Sequence, residues 1–98
     1  MKQKNFDFEL VKELDLVIAN EYEDYKQEQA LAENYIKKWK KGMFNFEKAK
    51  KGVLNLIVTP RARKYQKEFG INIGKQEREA VATARLRALM VQIKEKVG

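Results

Sequence analysis

The side chains best able to do chemistry in this sequence are cations. Lys37, Lys38, Lys40 and Lys41 fall within about one helical turn. Lys48, Lys50 and Lys51 follow, and then Arg61, Arg63, Lys64 and Lys67. Fixed ammonium and guanidinium groups at such density suit contacts to phosphates or to an acidic surface. The residue types needed for most catalysis are missing. There is no histidine, no cysteine and no serine, and the only threonines are Thr59 and Thr83. That removes the commonest general base, the thiolate nucleophile and every Cys/His metal motif. Glu77 with Glu79, and Glu23 with Asp24, are too close in sequence to face each other across a cleft as a hydrolytic carboxylate pair. Gly70 and Gly74 are not part of a phosphate loop of the G-x-x-x-x-G-K-[ST] type. The expectation is a non-enzymatic protein with no metal and no cofactor.

The net charge of +7 is unevenly distributed. Residues 1–36 carry four lysines against nine acids, a balance of −5. Residues 37–98 carry 17 bases against five glutamates, a balance of +12. Pairing within the fold can absorb at most the five surplus acids, so most of the basic excess must face solvent or a partner. Exposed lysines also keep a small protein soluble, which is the bland alternative.

These side chains must be carried by helices. The 98 residues suffice for one domain, 1–98. No proline or glycine occurs before Gly42. From Val11 the apolar positions run Leu14, Ile18, Tyr22, Tyr25, Ala32, Ile36 and Trp39, with Gln29 in the one gap; alternating steps of three and four predict a single long helix over 8–41. Its most polar stretch, between Asn20 and Gln29, is where a break would fall. Asp7 can cap its start and Gly42 can stop it.

Asn45 is placed to cap a second helix over 46–58, with Phe46, Ala49, Val53 and Ile57 on one face and Leu54, Leu56 and Val58 around it. This element reads as the buried centre of the fold. A strand over 53–58 is the alternative, set aside because a lone strand has no partner in a helical chain. Thr59-Pro60 predicts a fresh helix start, threonine capping and proline in the first turn, for a third helix over 60–69 with Ala62, Tyr65 and Phe69 inward. Ile71 and Ile73 should plug the core. A last helix over 75–96 carries Ala82, Leu86, Leu89, Ile93 and Val97 as its seam, widened by Val81, Ala84 and Met90. The fold expected is all-α, a small bundle of about four helices with a long first helix.

Two local likenesses stand out. Glu68-Phe69-Gly70-Ile71-Asn72 resembles the turn of a helix-turn-helix, although Gln66 stands where a small residue is expected and Gln76 where an aliphatic is expected. Thr59-Pro60-Arg61-Ala62-Arg63-Lys64-Tyr65 with Phe69-Gly70-Ile71-Asn72-Ile73 is similar to the opening of the peripheral subunit-binding domain of 2-oxo acid dehydrogenase complexes. That family continues into a Gly-Thr-Gly loop, whereas here Gly74-Lys75-Gln76-Glu77 enters a long helix. The shared part amounts to a capped helix, a glycine stop and an aliphatic plug.

No segment approaches 18 consecutive apolar residues, and the basic start at Met1 leads into no continuous apolar stretch. A cytoplasmic location with no membrane partner is therefore expected. Two functions fit. One is a nucleic-acid-binding accessory protein contacting phosphates through Lys37, Lys38, Lys40, Lys41, Arg61, Arg63, Lys64 and Lys67. The other is a protein–protein binder, an inhibitor, immunity-type or adaptor protein with an acidic partner; small basic helical proteins of both kinds are common in phage and mobile-element gene sets. A homo-oligomer is compatible with either. One contiguous basic face favours nucleic acid, and a basic face beside an exposed apolar strip favours a protein.

Overall fold

The computed structural model describes residues 6–20 and 22–97, with the side chains of residues 22–25 and 97 outside that description. It is all-α, and the described residues contain no strand. The helices are α1 (Phe8–Asn20), α2 (Tyr22–Lys40), α3 (Phe46–Val53), α4 (Thr59–Phe69) and α5 (Lys75–Val97), with a π-helical turn over Leu54–Val58 between α3 and α4. α5 is the hub: α1, α2, α3 and the π turn all pack against it.

The expected long first helix is only roughly matched: the described residues form α1 and α2, on either side of residue 21. On α1 the buried side chains are Leu10, Val11, Leu14 and Ile18, the three-and-four spacing that the sequence shows. On α2 they are Ala32 and Tyr35, with Ile36 and Trp39 half-buried. Both sets of residues belong to helices that pack against α5. Arg85 of α5 is shared between them: its Nε lies 3.0 Å from Asp15 Oδ1 on α1 and its Nη1 lies 3.6 Å from Glu28 Oε2 on α2. In a straight helix Asp15 and Glu28 would stand about 20 Å apart along the axis, beyond the reach of one guanidinium, so the stretch that carries both curves toward Arg85. Tyr22 and Tyr25, expected on the seam, have side chains outside the described residues.

The helix over 46–58 and the one over 60–69 are joined. Val53, Leu54, Val58 and Thr59 all keep right-handed helical dihedrals, so the backbone stays helical from Phe46 to Phe69. Thr59 is therefore not a capping residue. Its N–H donates to the carbonyl of Leu54, five residues back. The reason is Pro60, which has no N–H and whose ring would collide with the carbonyl four residues behind it in a tight helix. A wider π turn upstream gives that ring room without ending the helix. The widened turn also rotates the side chains. Ile57 and Val58 are fully buried, while Leu56 is 56% exposed. The expectation that Leu56 belongs to the core is thus corrected, as is the strand alternative for 53–58. With no capped start at Thr59, the likeness to the subunit-binding domain loses its first element.

Both glycine stops act as expected. Gly42 (φ +70°) closes α2 with its N–H on the Trp39 carbonyl and that of Met43 on the Lys38 carbonyl; Gly70 (φ +67°) closes α4 on the Gln66 carbonyl. Asp7 Oδ1 accepts from Leu10 N–H and Asn45 Oδ1 from Lys48 N–H, the two predicted caps. Ile73 plugs the core, but Ile71 is 39% exposed. The α4–α5 connection spans residues 70–74, held by Gln66 and Arg78 side-chain bonds to the Ile73 carbonyl. α4 and α5 themselves barely touch, so the pair is not the packed unit of a helix-turn-helix.

The seam of α5 holds: Val81, Ala82, Leu86, Leu89 and Ile93 are buried. Glu77, expected in a polar run, is buried as well and accepts the Asp7 N–H at 3.0 Å. It sits in the first turn of α5, where the helix dipole favours an anion, and it ties the start of α1 to the start of α5.

The side chains at 56 and 57 test the π turn. Ile57→Asp places a charge among fully apolar neighbours and should abolish a cooperative thermal transition, because several kcal/mol is most of a small domain's stability. Leu56→Asp should keep the helical circular dichroism spectrum and shift stability by only about 0.5 kcal/mol. Equal damage from the two variants would contradict the outward turn at Leu56.

Candidate nucleic-acid interface and apolar groove

The predicted basic residues form two groups. Lys37, Lys38, Lys40 and Lys41 lie at the end of α2, all exposed. Arg63, Lys64 and Lys67 are exposed on α4, and Arg61 is half-buried. Lys48, near the first group, and Lys64 are sixteen residues apart on one helical run, more than about 20 Å. One flat contact therefore does not join the groups at close range.

The first group is organised around the turn between α2 and α3. Aromatic packing makes that turn rigid. Phe44 meets Trp39 with ring centroids 5.3 Å apart, and Tyr35 edge-on at 5.8 Å. Trp39 is thus part of the packing, as its place on the seam implies. Two adjoining hollows open on either side of Met43, of about 440 and 240 Å³. Lys38 borders both, Lys48 the larger, and Lys37 and Lys41 the smaller. Asn34 borders both and Asn45 the larger. No aspartate or glutamate lines either hollow among the described residues. Lys40 borders neither. Lys48 was not among the sequence candidates; its signal was the Asn45 cap, which turns the first exposed base of α3 back toward the lysines of α2.

The floor of the larger hollow depends on Tyr35 and Gly52. The Tyr35 hydroxyl, buried, donates to the Ala49 carbonyl at 3.0 Å. A side chain at position 52 would bring a Cβ to 2.7 Å from that hydroxyl, so glycine is what lets α2 and α3 approach. Burial raises the Tyr35 phenol above its ordinary value of 10.0.

The second group of bases borders a different feature, a groove of about 510 Å³ between α1 and α4. Tyr65 and Phe69, both expected inward, line it; Tyr65 is half-buried and Phe69 is 63% exposed. Their rings are in contact at 4.8 Å. The Tyr65 hydroxyl donates to Glu13 Oε2 at 2.8 Å across the groove. That hydrogen bond, with some burial and the Glu13 charge, raises the Tyr65 phenol above 10.0. Arg61 and Lys64 border the groove together with Glu13 and Glu68, whereas Arg63 and Lys67 do not. Among the described residues there is no cluster of three or more metal-ligating side chains and no helix long and apolar enough to cross a membrane.

Tyr35 and Gly52 form a coupled pair with a defined sign. In the parent, Gly52→Ala should destabilise, because the new methyl displaces a buried, hydrogen-bonded hydroxyl. In a Tyr35→Phe background that hydroxyl is gone, and the same change should stabilise by up to about 1 kcal/mol through helix propensity. Chemical denaturation of the four proteins measures the cycle; an identical effect of Gly52→Ala in both backgrounds would refute the contact. The folded-state phenol is raised, so its contribution is complete below pH 10 and is lost as pH climbs through the raised value. Tyr35→Phe should remove that alkaline component. Comparison with known proteins returns no match to this chain, whether among family models, curated proteins or solved structures.

Proposed function

We propose that the protein is a non-enzymatic nucleic-acid-binding accessory protein that engages phosphates at the corner between α2 and α3. The observation that carries this reading is the set of Lys37, Lys38, Lys41 and Lys48 around two adjoining hollows with no acidic side chain in their linings. Four unopposed cations on a rigid turn attract a polyanion, and the chain's net charge of +7 supports its approach. The exposed thioether of Met43, between the hollows, offers an apolar surface beside the phosphate contacts. Binding at this corner is by charge and shape. The lysines are point charges on flexible stems and select no base. Arg63 and Lys67 lie outside the corner and act as auxiliary contacts.

Titrating a labelled single-stranded oligonucleotide at several salt concentrations tests this. Lys38→Gln with Lys48→Gln should leave the thermal transition unchanged, weaken binding evenly across sequences, and lower the salt slope of log K by about 0.7 per lost contact. The same two changes at Arg63 and Lys67 should have the smaller effect. No affinity in the parent at low salt, or a salt slope unaltered by the Lys38/Lys48 variant, would sink the proposal.

A further inference from the structure

The α1/α4 groove differs from the lysine corner in both chemistry and charge. Its lips are apolar and exposed: Leu16 on α1 at 65% and Phe69 at the end of α4 at 63%. Its floor is Val17, at 36%, and the half-buried ring of Tyr65, held by the hydrogen bond to Glu13. Contiguous exposed apolar surface of this kind marks a contact site. The rim is electrically balanced, with Glu13 and Glu68 against Arg61 and Lys64, on a chain whose net charge is +7.

We infer that this groove is a self-association surface and that its occupant is the same groove on a second copy of the chain. Two features select that occupant. The first is shape. A two-fold interface uses the same patch on both partners, so the patch must supply both a projection and a recess. Here Leu16 and Phe69 are the most exposed apolar residues of the lining and Val17 and Tyr65 lie deeper, so the exposed pair of each copy can enter the hollow of the other. The second is charge. Two copies of a +7 protein repel, and the balanced rim is a place where they approach with little local repulsion. In a two-fold arrangement the acidic Glu13 of one α1 wall faces the Arg61 and Lys64 wall of the other copy. A polyanion or a strongly acidic protein gains nothing from a neutral rim. The inference is independent of the nucleic-acid reading, since none of these residues borders the lysine corner.

Sedimentation velocity over a wide concentration range is the direct test. The parent should show a concentration-dependent monomer–dimer equilibrium. Leu16→Glu and Phe69→Glu are at exposed positions and should keep the parent's circular dichroism spectrum and melting behaviour. Each should raise the dimer dissociation constant by about tenfold or more. The Lys38→Gln/Lys48→Gln variant should dimerise like the parent, and added salt should not dissociate the dimer although it weakens oligonucleotide binding. A parent that stays monomeric at every concentration overturns the inference, and so does a dimer unaffected by both groove variants. Either result leaves the oligonucleotide titration to judge the lysine corner separately.

Discussion

The guanidinium of Arg85, midway along α5, lies between Asp15 of α1 and Glu28 of α2, with only 12% of its side chain exposed. Its Nε and Asp15 Oδ1 are 3.0 Å apart, yet neither atom has hydrogen-bond geometry, so their attraction is that of an ion pair by proximity. Desolvating such charges costs much of what their attraction returns, and a pair of this kind contributes little net stability. What it contributes is a choice of geometry. One guanidinium is shared by a carboxylate from α1 and one from α2, and both helices pack on α5. The end of α2 meets α3 at the lysine corner, and α1 and α4 form the walls of the groove.

The π turn over Leu54–Val58 is the second constraint, and it is imposed by one residue. Pro60 inside a helix removes a hydrogen bond and crowds the preceding turn. The chain accommodates it by widening that turn, so that α3 and α4 remain one run. The run then carries Lys48 near one end and Arg61 and Lys64 toward the other. Had the helix ended at Thr59, the bases of α4 would have been free to swing toward those of α3. Because it continues, the basic surplus is divided: four lysines around a corner without acids, and two bases in a groove that also holds two glutamates.

This division bears on the two functions that the composition allows. A cluster of bases without acids and an apolar groove with a balanced rim point to different partners, and the molecule has one of each. They need not compete. A protein that touches phosphates at one corner and its own copy at another would present two lysine corners per dimer. Paired contacts on one strand bind more tightly than either alone when the spacing permits both.

By itself the sequence determined the helical class, the caps at Asp7 and Asn45, the stops at Gly42 and Gly70, and most of the seam: Val11, Leu14, Ile18, Ala49, Val53, Ile57, Leu86, Leu89 and Ile93. These are local quantities. A periodicity of 3.6, a side-chain oxygen placed to cap, and a glycine able to take positive φ are set within a few residues of chain. Other features needed the tertiary structure. The spacing from Val11 to Trp39 is local, whereas the sharing of Arg85 between Asp15 and Glu28 joins residues far apart in the sequence. Thr59-Pro60 reads as a helix start because proline suits a first turn, and only the packed run of α3 and α4 makes it an interior site with a π turn. Leu56 faces outward in that turn, and the packing of α1 beside α4 leaves a groove over Tyr65 and Phe69. The grouping of Lys48 with Lys37, Lys38 and Lys41 depends on how a turn stacked on Trp39, Phe44 and Tyr35 aims two helices. Local spacing carries the elements, but contacts distant in sequence decide which of their exposed faces meet.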